Sequence, residues 1–538
     1  GKPDTGDTVF LFNADNSSLF DNPLQSMGTF VNGVAKFSVP PGNYWAVGDF
    51  VHKIPKRQTF DEYLDVLPQF AVGNGTTVHL TAQAATSELK MVTAKPAMEQ
   101  IATFQLTRYA AAGPPVTTGW IETDNSPNIP APSLFISPTK TSPAIGKLAT
   151  ATTAQLGTST FPAGSKYVYG VGFQSTGTIP SQRHVISQAS LATVHVRYYS
   201  AVKSLGVAGT FASFPFQNAC PLGVAVFFGE QFPAQLTEYL ATTPQLSWET
   251  QYILNSGQDF SGGEVGAPQI YLPGQHVTDN LGAYPLHPAP NYVVATVPGA
   301  APVQASASRA GNTLRLFMTA FSDSVPGHVG QGTFPPVKTS GSYAVTDNGK
   351  QVAGGTLKNF FGQFSASAPL SRGSSFVQLT LKSSEAASLN PLSTAASTTW
   401  IWESSPKPGA KLPAGWTCLP GGQLDTACSV EPLLTLRYGV VDESLGGTTS
   451  PGPQVIKLSA GHLQLAKGSE ITNAALSVSF DGGKTWHKAT LTGSNGSYAA
   501  SFNAPADSLV SLRATASDLQ GSQITETITN AYQAAFHG

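Results

Sequence analysis

Charge is scarce in this chain. Lys, Arg, Asp and Glu make up 11% of its 538 residues, against roughly 25% in ordinary soluble domains. The 29 basic and 31 acidic residues nearly cancel, leaving a formal net charge of -2. No basic field therefore exists to hold nucleic acid or an anionic membrane surface. No apolar run reaches the roughly 18 residues that a membrane-spanning helix needs, and no segment has the make-up of a secretory signal peptide. The abrupt opening at Gly1-Lys2-Pro3-Asp4 is what a mature or processed fragment would show. Long 3.6-residue stripes are nearly absent, and only residues 96–110 leave room for a helical turn or two. The ten histidines are scattered, with no His-x-His, His-Glu-x-x-His or Cys-x-x-Cys. A transition-metal site would have to be assembled from distant ligands, and no cofactor is expected.

What the chain has instead is 41% hydrophobic residues, with 53 Gly and 40 Pro punctuating short runs of Val, Thr, Phe and Tyr. That pattern predicts an all-β fold of several β-sandwich domains in series, immunoglobulin/fibronectin-like and jelly-roll-like. Four modules are expected, with boundaries near residues 96, 290 and 450. Residues 1–96 are read as a small carboxypeptidase-regulatory-like sandwich, with strands at residues 8–12, 34–39, 44–50 and 77–80. Residues 97–290 hold a second sandwich, with strands at 166–173 and 192–199. In the latter, Val194, Val196 and Tyr198 share one face while His195, Arg197 and Tyr199 share the other, the mark of a half-buried strand. Residues 291–450 form a third, with strands at 314–318, 376–381 and 433–441. Residues 451–538 form an immunoglobulin/fibronectin-like end, with strands at 476–480, 509–516 and 524–529.

The chain has three cysteines. Cys418 and Cys428 bracket the turn Pro420-Gly421-Gly422 and predict a local disulfide in a secreted chain. Cys220 is left as a buried free thiol, with no neighbouring histidine to make it a nucleophile. Ser479-Phe480-Asp481-Gly482-Gly483-Lys484-Thr485-Trp486 fits an Asp-box hairpin. Asp481 would accept N–H bonds across the turn and Trp486 would pack beneath it. Its Gly-Lys-Thr is not a phosphate loop, because position 478 is Val rather than Gly.

Two fragments imitate protease motifs. Asp4-Thr5-Gly6 and Gly157-Thr158-Ser159 lie in subtilisin order with His52 and His79 between them. Neither histidine is followed by Gly-Thr, and no α/β pattern surrounds any of the four, so a working triad is not expected. Asn13, Asp15, Asn16 and Asp21 crowd one loop, where they would either hold a calcium ion or bond their own turn backbone. Trp400 and Trp402 share a strand face, either as a sugar-stacking pair or, more commonly, as core. His328, in Pro326-Gly327-His328-Val329-Gly330, reads as an exposed loop residue rather than a base.

Val39-Pro40-Pro41-Gly42-Asn43-Tyr44, residues 191–199, Leu433-Leu434-Thr435-Leu436-Arg437-Tyr438, and the Asp-box hairpin followed by residues 510–518 occur in one order. That order resembles the region downstream of the catalytic domain in large secreted bacterial subtilisin-like serine peptidases, over essentially the whole chain. The resemblance implies a secreted, extracellular, non-catalytic accessory region. Its partner would be the upstream protease domain, and serine endopeptidase activity would belong to that domain alone. It also implies a first strand left on the catalytic half and paired to this chain by strand complementation. The alternative is an independent array of β modules binding carbohydrate or a cell-surface protein. A third reading is an enzyme whose site converges from distant loops.

Overall fold

The structure is a computed structural model. It describes residues 4–20, 26–55, 59–123, 132–158, 165–213, 228–256, 259–294, 301–334, 339–358, 362–419 and 423–536. The chain is all-β, built as β-sandwich domains in series. Among the described residues no helix is long and apolar enough to cross a membrane.

The first sheet has the order Met27–Thr29, Thr8–Asn13, Gly42–Ile54, Thr59–Val72, Ser133–Ile136, Ser87–Glu88. The expected strands at 8–12 and 44–50 lie in it as antiparallel neighbours, Thr8 opposite Asp49 and Asn13 opposite Tyr44. Residues 34–39 make no ladder beyond one bridge, Val31 to Val34. Their alternation is nonetheless real, since Ala35, Phe37 and Val39 pack against the core. The segment runs into Pro40 and Pro41, which have no N–H to give a ladder. Residues 77–80 likewise form no strand, and only Leu80 is anchored in the core.

A seven-stranded sheet follows, in the order His276–Leu281, Leu191–Tyr198, Ala234–Ala241, Tyr167–Thr176, Lys147–Gly157, Met98–Tyr109, Val116–Thr123. The possible helical turns at 96–110 are a strand, Met98–Tyr109, hydrogen-bonded on both edges. It is buried along nearly its whole length. A strand covered on both faces loses the two-residue alternation by which it would be recognised. Leu191–Tyr198 keeps it, with Val194, Val196 and Tyr198 buried and His195 and Arg197 exposed. A five-stranded sheet, Phe228–Phe232, Ser204–Ser213, Ser247–Ser256, Asp259–Val265, Val329–Phe334, contributes Phe232, Trp248 and Tyr252 to the same core as Phe12, Trp45, Phe104, Tyr169 and Val194.

In the second half, His287–Pro290, Thr313–Ser322, Ala307–Ala310 and Ser429–Val430 form a sheet to which Gln363–Pro369 pairs. The largest sheet runs Lys350–Lys358, Thr339–Asp347, Ser375–Glu385, Ala395–Ser404, Gln523–Ala534, Ser508–Asp518, Ile471–Ser479, His487–Lys488. A smaller sheet, Leu434–Val440, Gly452–His462, Ser497–Ala504, Thr490–Ser494, shares a core with it in which Trp400, Trp402, Leu458, Leu512 and Tyr532 are buried.

Hydrogen bonding crosses each expected boundary. Thr59–Val72 pairs with Ser133–Ile136, Asp259–Val265 with Val329–Phe334, and Ala395–Ser404 with Gln523–Ala534. Turn-rich stretches near 96, 290 and 450 are therefore places where the chain passes between sheets, not places where hydrogen bonding stops.

The first core contains a buried acid. Glu238 is fully enclosed, and burial pushes its carboxyl up to about 7 despite hydroxyl bonds from Thr210 and Tyr198. A carboxyl raised in the folded state stabilises it below the unfolded value near 4.5, and that contribution is lost as pH climbs to about 7. Chemical denaturation across pH 4.5–7 should show stability falling, and Glu238→Gln should flatten the fall by on the order of 3 kcal/mol. An unchanged slope in that variant would refute the assignment.

Candidate functional site

At the end of Thr313–Ser322 the chain presents three consecutive polar residues, Ser322, Asp323 and Ser324. Each reaches a different buried ionisable group. Ser322 Oγ donates to Glu264 Oε1 on Asp259–Val265. Asp323 Oδ2 accepts from His328 Nδ1 at 3.0 Å and from the Gly282 N–H at 3.0 Å, while Oδ1 accepts the Val325 N–H at 2.8 Å. Ser324 Oγ lies 2.9 Å from His287 Nε2 and accepts the Tyr438 N–H at 2.8 Å. One three-residue segment thus ties together elements of four sheets.

His328 is buried, not exposed as expected. The turn that precedes it is tight because Gly327 has φ +88° and packs on Ala267 and Val294, and Val325 takes the solvent-facing tip. The chain then re-enters the protein as the strand Val329–Phe334. Its imidazole stands between Asp323 and Asp279, with Nε2 3.4 Å from Asp279 Oδ1. Burial alone would pull the imidazolium down, but the Asp323 charge and the bonds to Asp279 and Asp323 carry it well above the usual histidine value. Glu264 is pushed well above the carboxylate range, first by burial and then by the Asp323 charge.

The second branch runs Ser324, His287, Glu526. His287 Nδ1 is 3.2 Å from Glu526 Oε1 but lies off the line of a hydrogen bond. Glu526 also accepts hydroxyls from Tyr438 at 3.0 Å and Thr398 at 2.6 Å. The spacing is that of a nucleophile, base and acid. The surroundings are not: His287 and Glu526 are 2% and 1% exposed. Each Glu526 oxygen already accepts a hydroxyl, and the Ser324 oxygen already accepts an N–H. A nucleophile needs a free lone pair facing substrate, so this string acts as a tie between sheets.

Among the described residues no hydrogen bond joins Asp4 to His52 or His79. Asp4 lies beside Asp7, which helps raise its carboxyl, His52 and His79 are exposed on separate segments, and Ser159 lies outside the described residues, as does Cys220. Trp400 and Trp402, the pair that would have stacked on sugars, are 4% and 0% exposed. Their indole N–H groups are spent on Leu434 O and Glu431 Oε2, so no aromatic platform faces solvent there. In the crowded loop, Asn13 Oδ1 accepts the N–H groups of Asp15 and Asn16, Asp15 accepts from Asn43, and Asn16 from Ser18. These oxygens are turned onto the backbone of their own turn and of Asn43. Asp21 lies outside the described residues.

Two local motifs are in place. Cys418 and Cys428 are bonded, their Cα atoms 6.2 Å apart. In the hairpin, Asp481 accepts from the Lys484 and Thr485 N–H groups and the Thr485 hydroxyl, while Ser479 Oγ accepts the Gly483 N–H. Trp486 donates to Gly483 O and lies beneath Arg513, 4.1 Å from its ring centre.

No family model matches the chain, and no curated protein matches it. Among solved structures, Escherichia coli alpha-2-macroglobulin activated by porcine elastase is 11% identical with a TM-score of 0.14, covering 98% of this chain and 50% of that one. The native conformation of E. coli alpha-2-macroglobulin is 10% identical with a TM-score of 0.14, covering 98% and 38%. The immunoglobulin domains 1–5 of Sidekick-1 are 11% identical with a TM-score of 0.10, covering 98% and 96%. The chain spans half or less of the two macroglobulin chains, and at these scores none of the likenesses bears on fold or function.

If the second branch is a tie, His287→Ala should cost about 2 kcal/mol or more, because a buried ring is lost and the Ser324 hydroxyl loses its partner inside the protein. Urea denaturation reads that loss. A fluorophosphonate probe should leave the folded chain unmodified at Ser324; labelling abolished by Ser324→Ala would reveal an accessible nucleophile instead.

Proposed function

We propose that the chain is the non-catalytic accessory scaffold of a secreted subtilisin-like serine peptidase, holding or positioning the upstream catalytic domain. The ordered series of segments running from Val39-Pro40-Pro41-Gly42 to the Asp-box hairpin supports the family assignment. The observation that carries the scaffold role is the use made of Glu264, Asp279, Asp323, His287, His328 and Glu526. All six sit inside the protein and join sheet to sheet. A chain that spends its acids and bases on docking its own sheets gains a fixed relative placement of them, which is what a scaffold needs. The disulfide at Cys418–Cys428 fits an oxidising, extracellular setting. Binding through a surface aromatic pair, the feature on which the carbohydrate alternative leaned, loses its support because both rings are interior.

The partner is the catalytic half. The first sheet ends on the short strand Met27–Thr29, which pairs only with Thr8–Asn13 among the described residues and leaves an outer edge on which an added strand can pair.

The isolated chain should release nothing from peptide, ester or glycoside substrates. The catalytic domain co-expressed with it should survive heating longer than the domain alone. Turnover by the isolated chain would sink the non-catalytic role. An upstream domain that neither co-purifies with the chain nor gains stability from it would sink the scaffold role.

A further inference from the structure

The first branch of the polar node has a chemistry that the scaffold role does not require. We propose that Glu264, Asp323 and His328 form a buried structural site for one first-row divalent transition ion of the zinc or manganese class. His328 Nδ1 and one oxygen from each carboxylate would be its protein ligands. Glu264 comes from the strand Asp259–Val265, and Asp323 and His328 from the loop between Thr313–Ser322 and Val329–Phe334. Their ligand atoms all lie within 4.8 Å of one another, and all three residues are buried.

The separation of the first pair suits a shared ion. Nδ1 of His328 and Oδ2 of Asp323 are 3.0 Å apart. Two ligands at about 2.1 Å from one ion and that far apart subtend roughly a right angle, the angle of neighbouring ligands in octahedral coordination and a little tighter than the tetrahedral one. The outer contacts are those of a metal centre too. A ligating histidine normally gives its second ring N–H to a carboxylate, which fixes the tautomer and turns the other nitrogen inward. Here Asp279 Oδ1 faces Nε2 at 3.4 Å. Each carboxylate is likewise held in place. Glu264 is fixed by the Ser322 hydroxyl, and Asp323 by the N–H groups of Gly282 and Val325.

Ligand type selects the ion class. An imidazole with two carboxylates suits first-row ions such as zinc and manganese, whereas calcium takes six to eight oxygens. Three protein ligands leave at least one position to be completed by water, and burial gives the site a structural role, since Asp323 and His328 are 1% and 3% exposed and a substrate could not reach that position. Three carboxylates around one imidazole also carry excess negative charge where water cannot screen it, and a divalent ion offsets that excess.

The test uses the full chain, refolded from urea with zinc chloride, with manganese chloride or with a chelator, then dialysed. Elemental analysis should find about one equivalent of metal per chain and a higher melting temperature than the chelated sample. Cobalt in place of zinc should give the visible absorption of a nitrogen- and oxygen-ligated ion. His328→Gln and Glu264→Gln should each abolish stoichiometric binding. Asp279→Asn, which touches only the outer contact, should weaken it by about 10–100-fold. His487→Gln, at an exposed histidine, should change nothing. Should the substituted sites prevent folding, the wild-type stoichiometry and the cobalt spectrum decide alone. Folded wild-type protein that retains no zinc or manganese overturns the proposal in favour of a plain imidazolium–carboxylate pair. Equal retention by a folded His328→Gln variant overturns it as well.

Discussion

The arrangement of the sheets depends on the bonds made by Ser322, Asp323 and Ser324. Hydrophobic contact is non-directional, so the apolar faces of two sheets can slide over one another at little cost. Hydroxyls and carboxylates allow no such latitude, since a buried polar group displaced from its partner costs 1–3 kcal/mol or more. Ser322 fixes the sheet containing Glu264, Asp323 fixes the segments carrying Gly282 and His328, and Ser324 fixes His287 and the Tyr438 backbone. Register between sheets is set where these bonds are made.

This accounts for an oddity of composition. The surface of a chain with so few charges must be built from Ser, Thr, Asn and Gln. Several of the acids it does carry go inside, including Glu238, Glu264, Asp323, Glu431 and Glu526. Such groups are tolerated in one of two ways: burial favours their uncharged form, as it does for Glu238, or they collect donors, as Glu526 does from Tyr438 and Thr398. Replacing a whole set with apolar residues of equal volume can be neutral or stabilising. The worth of the set is therefore geometric: it rejects the alternative dockings that an apolar interface would accept.

Legibility from sequence follows the same division between local and distant partners. The strand at 191–198 could be read because one face meets core and the other meets water, which prints the period of two into Val194, Val196 and Tyr198. Met98–Tyr109 could not, because both of its faces are covered. Residues 34–39 have the alternation without the ladder, since side-chain burial leaves a sequence pattern and backbone pairing does not. The two-residue spacing of Trp400 and Trp402 puts them on one face, but nothing local says whether that face meets water or, as here, Leu434 and Glu431.

The candidate site shows the limit most sharply. The Asp-box and the disulfide loop close within ten residues, so residue order alone carries their chemistry. His328 sits in an equally local turn, yet that turn predicts only the exposure of its tip, Val325, and not the burial of the residue that re-enters the protein. Its partner Asp279 arrives from another sheet and Glu264 from the strand beside the one that His328 enters, while Glu526 reaches the same node from the far end of the chain. Such a constellation has no spacing to recognise. It exists only once the sheets have docked, and the docking is what its bonds enforce, so site and tertiary fold are specified by the same contacts. A cluster of that kind is invisible to motif reasoning for a physical reason: each member taken alone is an ordinary strand or loop residue, and only the assembled set deprives all of them of water at once.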